Sequence, residues 1–143
     1  MHTLLAQPDG GPSAHISQNL YHWRASFYDW QLAPYDYIRQ LAVDRLQLQP
    51  GQTVLDIGCG TGMSLPLLEQ AVGPKGKIVA VDQCPDMLDL ARQRVQRHGW
   101  RNVELVCAPI DEAKLPMADA ALLHLTHDIL QQPEALDNVL ACL

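Results

Sequence analysis

The segment Thr53-Val54-Leu55-Asp56-Ile57 runs without a spacer into Gly58-Cys59-Gly60-Thr61-Gly62, and few folds accommodate that junction. A short run of β-branched and aliphatic residues with no polar alternation describes a strand covered on both faces. Glycine at every second position of the turn opens backbone angles closed to other residues and lets the main chain approach a ligand without side chains in between. Met63 to Val72 reads as the helix that follows, with Pro66 in its first turn, where a missing amide donor costs least. Its unpaired N-terminal amides face the same spot as the turn.

The pattern then repeats. Gly73-Pro74-Lys75-Gly76 ends the helix, Lys77 to Asp82 is a second buried strand, and Pro85 to His98 is a helix stopped by Gly99. Val103 to Ala108 is a third strand and Ala120 to Leu125 a fourth, leading to a helical segment that starts near Pro133 and runs to the last residue. Upstream, Leu20, Trp23, Phe27 and Trp30 recur at helical spacing over 17–31, and Pro34 interrupts them. Tyr37, Ile38, Leu41, Ala42 and Arg45 continue as a second helix toward Leu46 and Leu48, closed by Pro50-Gly51. Residues 1–16, with Pro8, Gly10, Gly11 and Pro12, are expected to form a flexible tail. A length of 143 residues, 48% of them apolar, suits one core, so 17–143 is expected to be a single domain with its N-terminal helices in 17–48. Strands alternating with helices across short turns imply parallel strands, right-handed crossovers and a doubly wound α/β sheet.

Charge narrows the ligand. A formal net charge of −6 argues against a surface built to neutralise phosphates and so against nucleic acid as partner. Arg92, Arg94, Arg97 and His98 share a helical pattern with Asp86 and Asp89 and read as a solvated face. Cys59, Cys84, Cys107 and Cys142 are far apart, without the paired short spacings of a zinc site or a disulfide framework, and read as reduced thiols. No apolar stretch approaches the roughly 20 residues of a membrane helix, and the N-terminus has no basic leader. A cytoplasmic protein is expected.

In a doubly wound sheet the ligand lies across the carboxyl ends of the strands where strand order reverses, closest to the first strand-to-helix turn. Asp56 stands two residues before the first glycine, where it would repel a pyrophosphate and suit a cation. Asp82 ends the second strand about 20 residues beyond the last glycine, the place from which a carboxylate accepts both hydroxyls of a nucleoside ribose. Nicotinamide-dependent oxidoreductases use that second acid too, but their glycines are usually spaced Gly-x-Gly-x-x-Gly.

Together VLDIGCGTG, residues 54–62, and IVAVDQCPDML, residues 78–88, resemble the first two motifs of class I S-adenosylmethionine-dependent methyltransferases. FYDW at 27–30 resembles the N-terminal helix of the small-molecule and quinone or lipid-type members, and HGWRNVELV at 98–106 the approach to their third strand. The resemblance implies a Rossmann-like sheet in the order 3-2-1-4, with S-adenosylmethionine as cofactor. It places Tyr28 near the cofactor, Asp56, Gly58 and Gly60 along the methionine end with Cys59 between the glycines, and Asp82 on the ribose. Gln83 would lie beside the adenine and Met87 on its face. Where the family has Gly-Asp-Ala after the third strand, this chain has Ala108-Pro109-Ile110-Asp111-Glu112, so the Ile110 amide and the Asp111 carboxylate are the expected adenine contacts. His124 falls where a backbone carbonyl meets the cofactor's amino group.

Each assignment has a plainer counterpart. Asp56 could accept turn amides, Asp82 could cap a helix, Asp111 could be a solvated turn residue, and Tyr28 could pack with Trp23 and Trp30. His124, Thr126, His127 and Asp128 do not make a metal site, because alternate residues of a strand point to opposite faces and a third ligand is missing. Methyl transfer from a sulfonium is an in-line displacement that needs no obligatory side chain; for an alcohol or amine acceptor, His124 or His127 could take the proton. The expectation is methyl transfer to a small-molecule or lipid-like acceptor. Transfer of the aminocarboxypropyl group, or cofactor binding without catalysis, fits the same motifs. The family sheet normally has seven strands and four are expected here, so the last three would be lacking. The fourth strand would then be an open edge whose Leu122, Leu123 and Leu125 favour pairing with a second copy.

Overall fold

In the computed structural model, residues 36–124 and 126–143 are described, the side chain of His127 excepted. The expected tail, the helix over 17–31, Tyr28 and residue 125 lie outside them. The elements are α1 (Asp36–Arg45), β1 (Thr53–Ile57), α2 (Leu65–Val72), β2 (Lys77–Asp82), α3 (Pro85–His98), β3 (Val103–Cys107), β4 (Ala120–Leu123), α4 (His127–Leu130) and α5 (Pro133–Leu140).

The four strands form one parallel sheet in the order β3-β2-β1-β4. Val54, Leu55 and Ile57 of β1 and Ile78 through Val81 of β2 are fully buried, as central strands covered on both faces require. Strand alternation divides them between two cores. Leu55, Ile57, Val79 and Val81 pack under α5 with Ala135 and Val139. Val54, Ile78 and Ala80 pack with Val43 of α1 and Leu65, Leu68 and Val72 of α2. By the same alternation Asp56 and Asp82 belong to the second face.

Element ends follow from what is available to pair with. β4 stops at Leu123, two residues earlier than expected, because Leu123 pairs with Ile57 and β1 then bends away into its glycine turn. A single helical turn, α4, follows at His127; the Thr126 carbonyl accepts from the Ile129 and Leu130 amides at 3.1 and 3.2 Å. α2 starts at Leu65 because turn bonds from Gly62 to Cys59 and from Leu65 to Gly62 come first. The expected apolar face of α1 is corrected. Tyr37, Ile38 and Leu41 face outward, Tyr37 at 73% exposure, while Arg39 and Val43 face in.

At the sheet edge, β4 pairs with β1 alone among the described residues. Its apolar side chains are not presented along that edge, however. Leu122 is buried in the core beside Val54, and Leu123 packs against the opposite core, because strand side chains point to the faces.

Candidate functional site

β1 and β2 end side by side, and the turn after β1 folds over the junction. The Gly58 and Cys59 amides both donate to the Val81 carbonyl, at 2.8 and 3.0 Å. Asp82 then binds two segments at once, its Oδ2 accepting from the Gly60 amide and its Oδ1 from the Cys84 amide, both at 2.9 Å. The bond to the Cys84 amide closes a local turn ahead of α3, whose N-cap is Cys84 itself, so Asp82 does not cap that helix. Arg94 was expected on a solvated face, yet its Nε donates to the Thr61 carbonyl at 3.2 Å and ties α3 to the turn.

The glycines divide their roles. Gly58 has φ of 69°, and a Cβ there would meet Thr126 Cγ2 at 2.6 Å and Ile129 Cδ1 at 3.1 Å. Gly60 has φ of 56°, yet a Cβ there would meet nothing within 4 Å. Gly58 thus serves packing against α4, and Gly60 serves an open side of the turn. Gly58→Ala is expected to cost about 2–3 kcal/mol through backbone strain and overpacking, and Gly60→Ala only about 1 kcal/mol through strain. Urea melts of the two variants check the order, which equal losses would contradict.

Beneath the turn lies a group of polar side chains cut off from water. Asp56 is 3% exposed and its Oδ2 has no hydrogen-bond partner among the described residues. Burial pushes its carboxyl up to about 7, Arg39 pulling it back and Asp82 adding to the rise. The Cys59 thiol is driven well above its ordinary range by burial and by Asp56 and Asp82, which removes it as a nucleophile. His124 Nε2 is buried without a partner, and burial together with Arg39 holds the imidazole below its usual value, so it is neutral at neutral pH. The Thr126 hydroxyl is also buried and without a partner.

Arg39, which the sequence reading missed, joins this group from α1. Only 4% of its side chain is exposed; its Nη1 donates to the Asp36 carboxylate and its Nη2 points at the Met63 sulfur, 3.9 Å away. The signal was its position on the same helical stripe as Val43 and Leu46, four and seven residues on, a charge where apolar residues belong.

The remaining expected residues are spread along the strand ends. Gln83 is exposed and Met87 half-buried at the start of α3. Ile110 points its side chain into the core, and its carbonyl accepts from Asn138 Nδ2 at 2.6 Å; Asn138 also donates to the Ala113 carbonyl at 2.9 Å. Asp111, on the turn so pinned, is exposed. His127 lies in α4. Among the described residues no three His, Cys, Asp or Glu side chains stand together so as to hold a metal ion, and no helix is long and apolar enough to cross a membrane.

An unpartnered buried carboxylate and an open glycine, with a second acid on the next strand, fit a ligand that is cationic where it meets Asp56 and rich in hydroxyls where it meets Asp82.

Residues 54–143 match the sequence profile described as a methyltransferase domain. The arsenite methyltransferase of Halobacterium salinarum is 40% identical over 75 residues, 52% of this chain and 19% of that protein. The malonyl-[acyl-carrier protein] O-methyltransferase of Anoxybacillus flavithermus is 40% identical over 88 residues, 61% of this chain and 32% of that protein. The chain thus spans between a fifth and a third of these curated relatives. Among solved structures, a SAM-dependent methyltransferase from Aquifex aeolicus superposes with a TM-score of 0.64 at 32% identity, over 71% of this chain and 55% of that one.

Proposed function

We propose, from the premise that this chain belongs to the methyltransferase-domain family, that it binds S-adenosylmethionine at the β1–β2 junction and transfers its methyl group to a small-molecule or lipid-like acceptor. The observation that carries the reading is the buried Asp56 carboxylate, whose Oδ2 has no hydrogen-bond partner, on the same sheet face as Asp82. Asp56 would hold the ammonium of the amino-acid tail, the open side of Gly60 would face the cofactor's methionine end, and Asp82 would take the ribose hydroxyls with the lone pairs its two amide bonds leave free. Gln83 and Met87 would lie beside the base, with Ile110 and Asp111 meeting it from beyond the end of β3; the side-by-side ends of β2 and β3 support that order.

When bound, the cofactor supplies an electrophilic methyl on a sulfonium, and the reaction needs chiefly an acceptor held in line in a water-poor site. Neutral His124, with an unpartnered ring nitrogen, is the group to take a proton from an alcohol or amine acceptor. A small acceptor is supported by the relative named for arsenite.

Calorimetric titration tests the cofactor and labelled transfer the reaction. S-adenosylhomocysteine is expected to bind in the micromolar range typical of enzyme ligands and NADH not at all. Gly60→Ala should weaken that binding at least tenfold while the fold persists. Label on the cofactor methyl, and not on its aminocarboxypropyl chain, should pass into a small-molecule or lipid extract. Binding of NADH instead would sink the cofactor assignment, and label moving only from the aminocarboxypropyl chain would replace the reaction.

A further inference from the structure

The connection from β3 to β4, residues 108–119, forms no helix, and α5 holds it in place instead. Ala135, Val139 and Cys142 follow one another at helical spacing along α5 and the turn after it, and pack in one core with Ile110 and Ala113 of the connection. Asn138 falls on the same face, a half-buried amide among apolar residues. Its Nδ2 carries two N–H donors, and two carbonyls of the connection take them, Ile110 at 2.6 Å and Ala113 at 2.9 Å. Ile110 and Ala113 are buried, and a buried carbonyl without a donor is costly. The polar residue on this stripe thus answers a need of the connection and not of its own helix.

The same bonds orient a turn. The Glu112 amide donates to the Pro109 carbonyl at 3.1 Å, which makes Ile110 and Asp111 the central pair of a four-residue turn. The peptide between them is planar and trans, so its N–H points opposite to its carbonyl. With the Ile110 carbonyl drawn to α5, the Asp111 N–H is turned away from that helix, and the Asp111 side chain is exposed. The Ala108 amide donates to the Asp82 carbonyl at 3.1 Å, so the turn begins beside the acid that ends β2. We infer that Asn138 is a positioning residue for base selection, gripping the turn from α5 so that the Asp111 carboxylate meets the adenine amino group and refuses a base with a carbonyl there. This rests on the cofactor reading above. A carbonyl in that place would set an acceptor against an acceptor, whereas the amino group donates to the carboxylate.

Two ligands that differ only in the base decide the matter in calorimetry. They are S-adenosylhomocysteine and S-inosylhomocysteine, whose base has a carbonyl oxygen in place of the adenine amino group. The wild-type chain is expected to bind the adenine ligand roughly 10- to 100-fold more tightly, the range of a hydrogen bond to a charged group. Asn138→Ala should cut that ratio to about threefold or less while leaving S-inosylhomocysteine within about twofold of its wild-type affinity. Asn138→Gln keeps both donors on a longer arm, and its ratio should fall between. Asp111→Asn replaces an exposed carboxylate by an amide that serves either base, so it should remove the preference directly. Adding Asn138→Ala to it should then change the ratio no further, since one residue acts through the other. Equal loss for both ligands in Asn138→Ala would assign Asn138 to the fold alone and overturn the inference. So would an unchanged ratio in that variant or in Asp111→Asn. If Asn138→Ala does not fold, Asn138→Gln carries the test, and a wild-type ratio there overturns the inference. Wild-type chain that binds neither ligand fails the cofactor reading and the inference with it, whereas equal binding of both overturns the base selection and leaves the cofactor reading intact.

Discussion

Asp82→Ala is expected to abolish S-adenosylhomocysteine binding and to lower the unfolding free energy by about 4 kcal/mol, from two charge-assisted hydrogen bonds worth roughly 1.5–3 kcal/mol each. Both bonds measure 2.9 Å, and they join different pieces of chain, the glycine turn at Gly60 and the start of α3 at Cys84. Removing them frees the turn that would carry the cofactor, so stability and binding fall together. That is a large share of the 5–15 kcal/mol that holds a typical domain. The alanine variant alone cannot tell a staple from a ligand, and Asp82→Asn separates the two. The amide keeps one acceptor oxygen, so it should recover about half of the lost stability, while its NH2 group opposes either the turn amide or the ribose hydroxyls. Binding by Asp82→Asn within threefold of wild type would make Asp82 a structural acceptor only.

The strand pattern was legible because burial on both faces leaves a plain signature. Thr53–Ile57 and Lys77–Asp82 appear in the structure with the bounds read from their apolar runs, and α3 keeps both its limits because Pro85 opens it and Gly99, at φ of 67°, closes it. β4 was overextended because its end is set by β1 and not by its own residues, where apolar Leu125 follows His124. α4 has four residues, too few for a periodic pattern to register. Within the site, Asp56, Asp82 and the alternate glycines could be read because their spacing is local. Arg39 could not, since a charged residue on a helix is read as solvated by default, and its contacts reach residues 24 positions away. The placement of Asp111 depends likewise on Asn138, which pins the turn from 28 residues downstream at Ile110.

Stability of the unliganded chain should fall as pH rises from about 4 to about 7, and ligand affinity should rise over the upper part of the same range. Asp56 has its carboxyl pushed from 3.8 to about 7, chiefly by burial, with Arg39 opposing and Asp82 reinforcing. The folded chain therefore holds a proton that the unfolded chain has released. Its contribution is complete below 3.8 and is lost as pH passes through about 7. Three units at 1.36 kcal/mol each set that loss at about 4 kcal/mol at most. Binding reverses the sign, because an ammonium beside Asp56 favours the ionised form and expels the proton. Affinity for S-adenosylhomocysteine should thus climb up to tenfold per pH unit below 7 and level off above, with proton release visible as a dependence of binding heat on buffer ionisation enthalpy. Asp56→Asn cannot titrate, so it should flatten both profiles. Identical pH profiles in wild type and Asp56→Asn would show that the buried carboxyl is not the linked group, and with it would go the account of why this acid sits unpartnered beneath the turn.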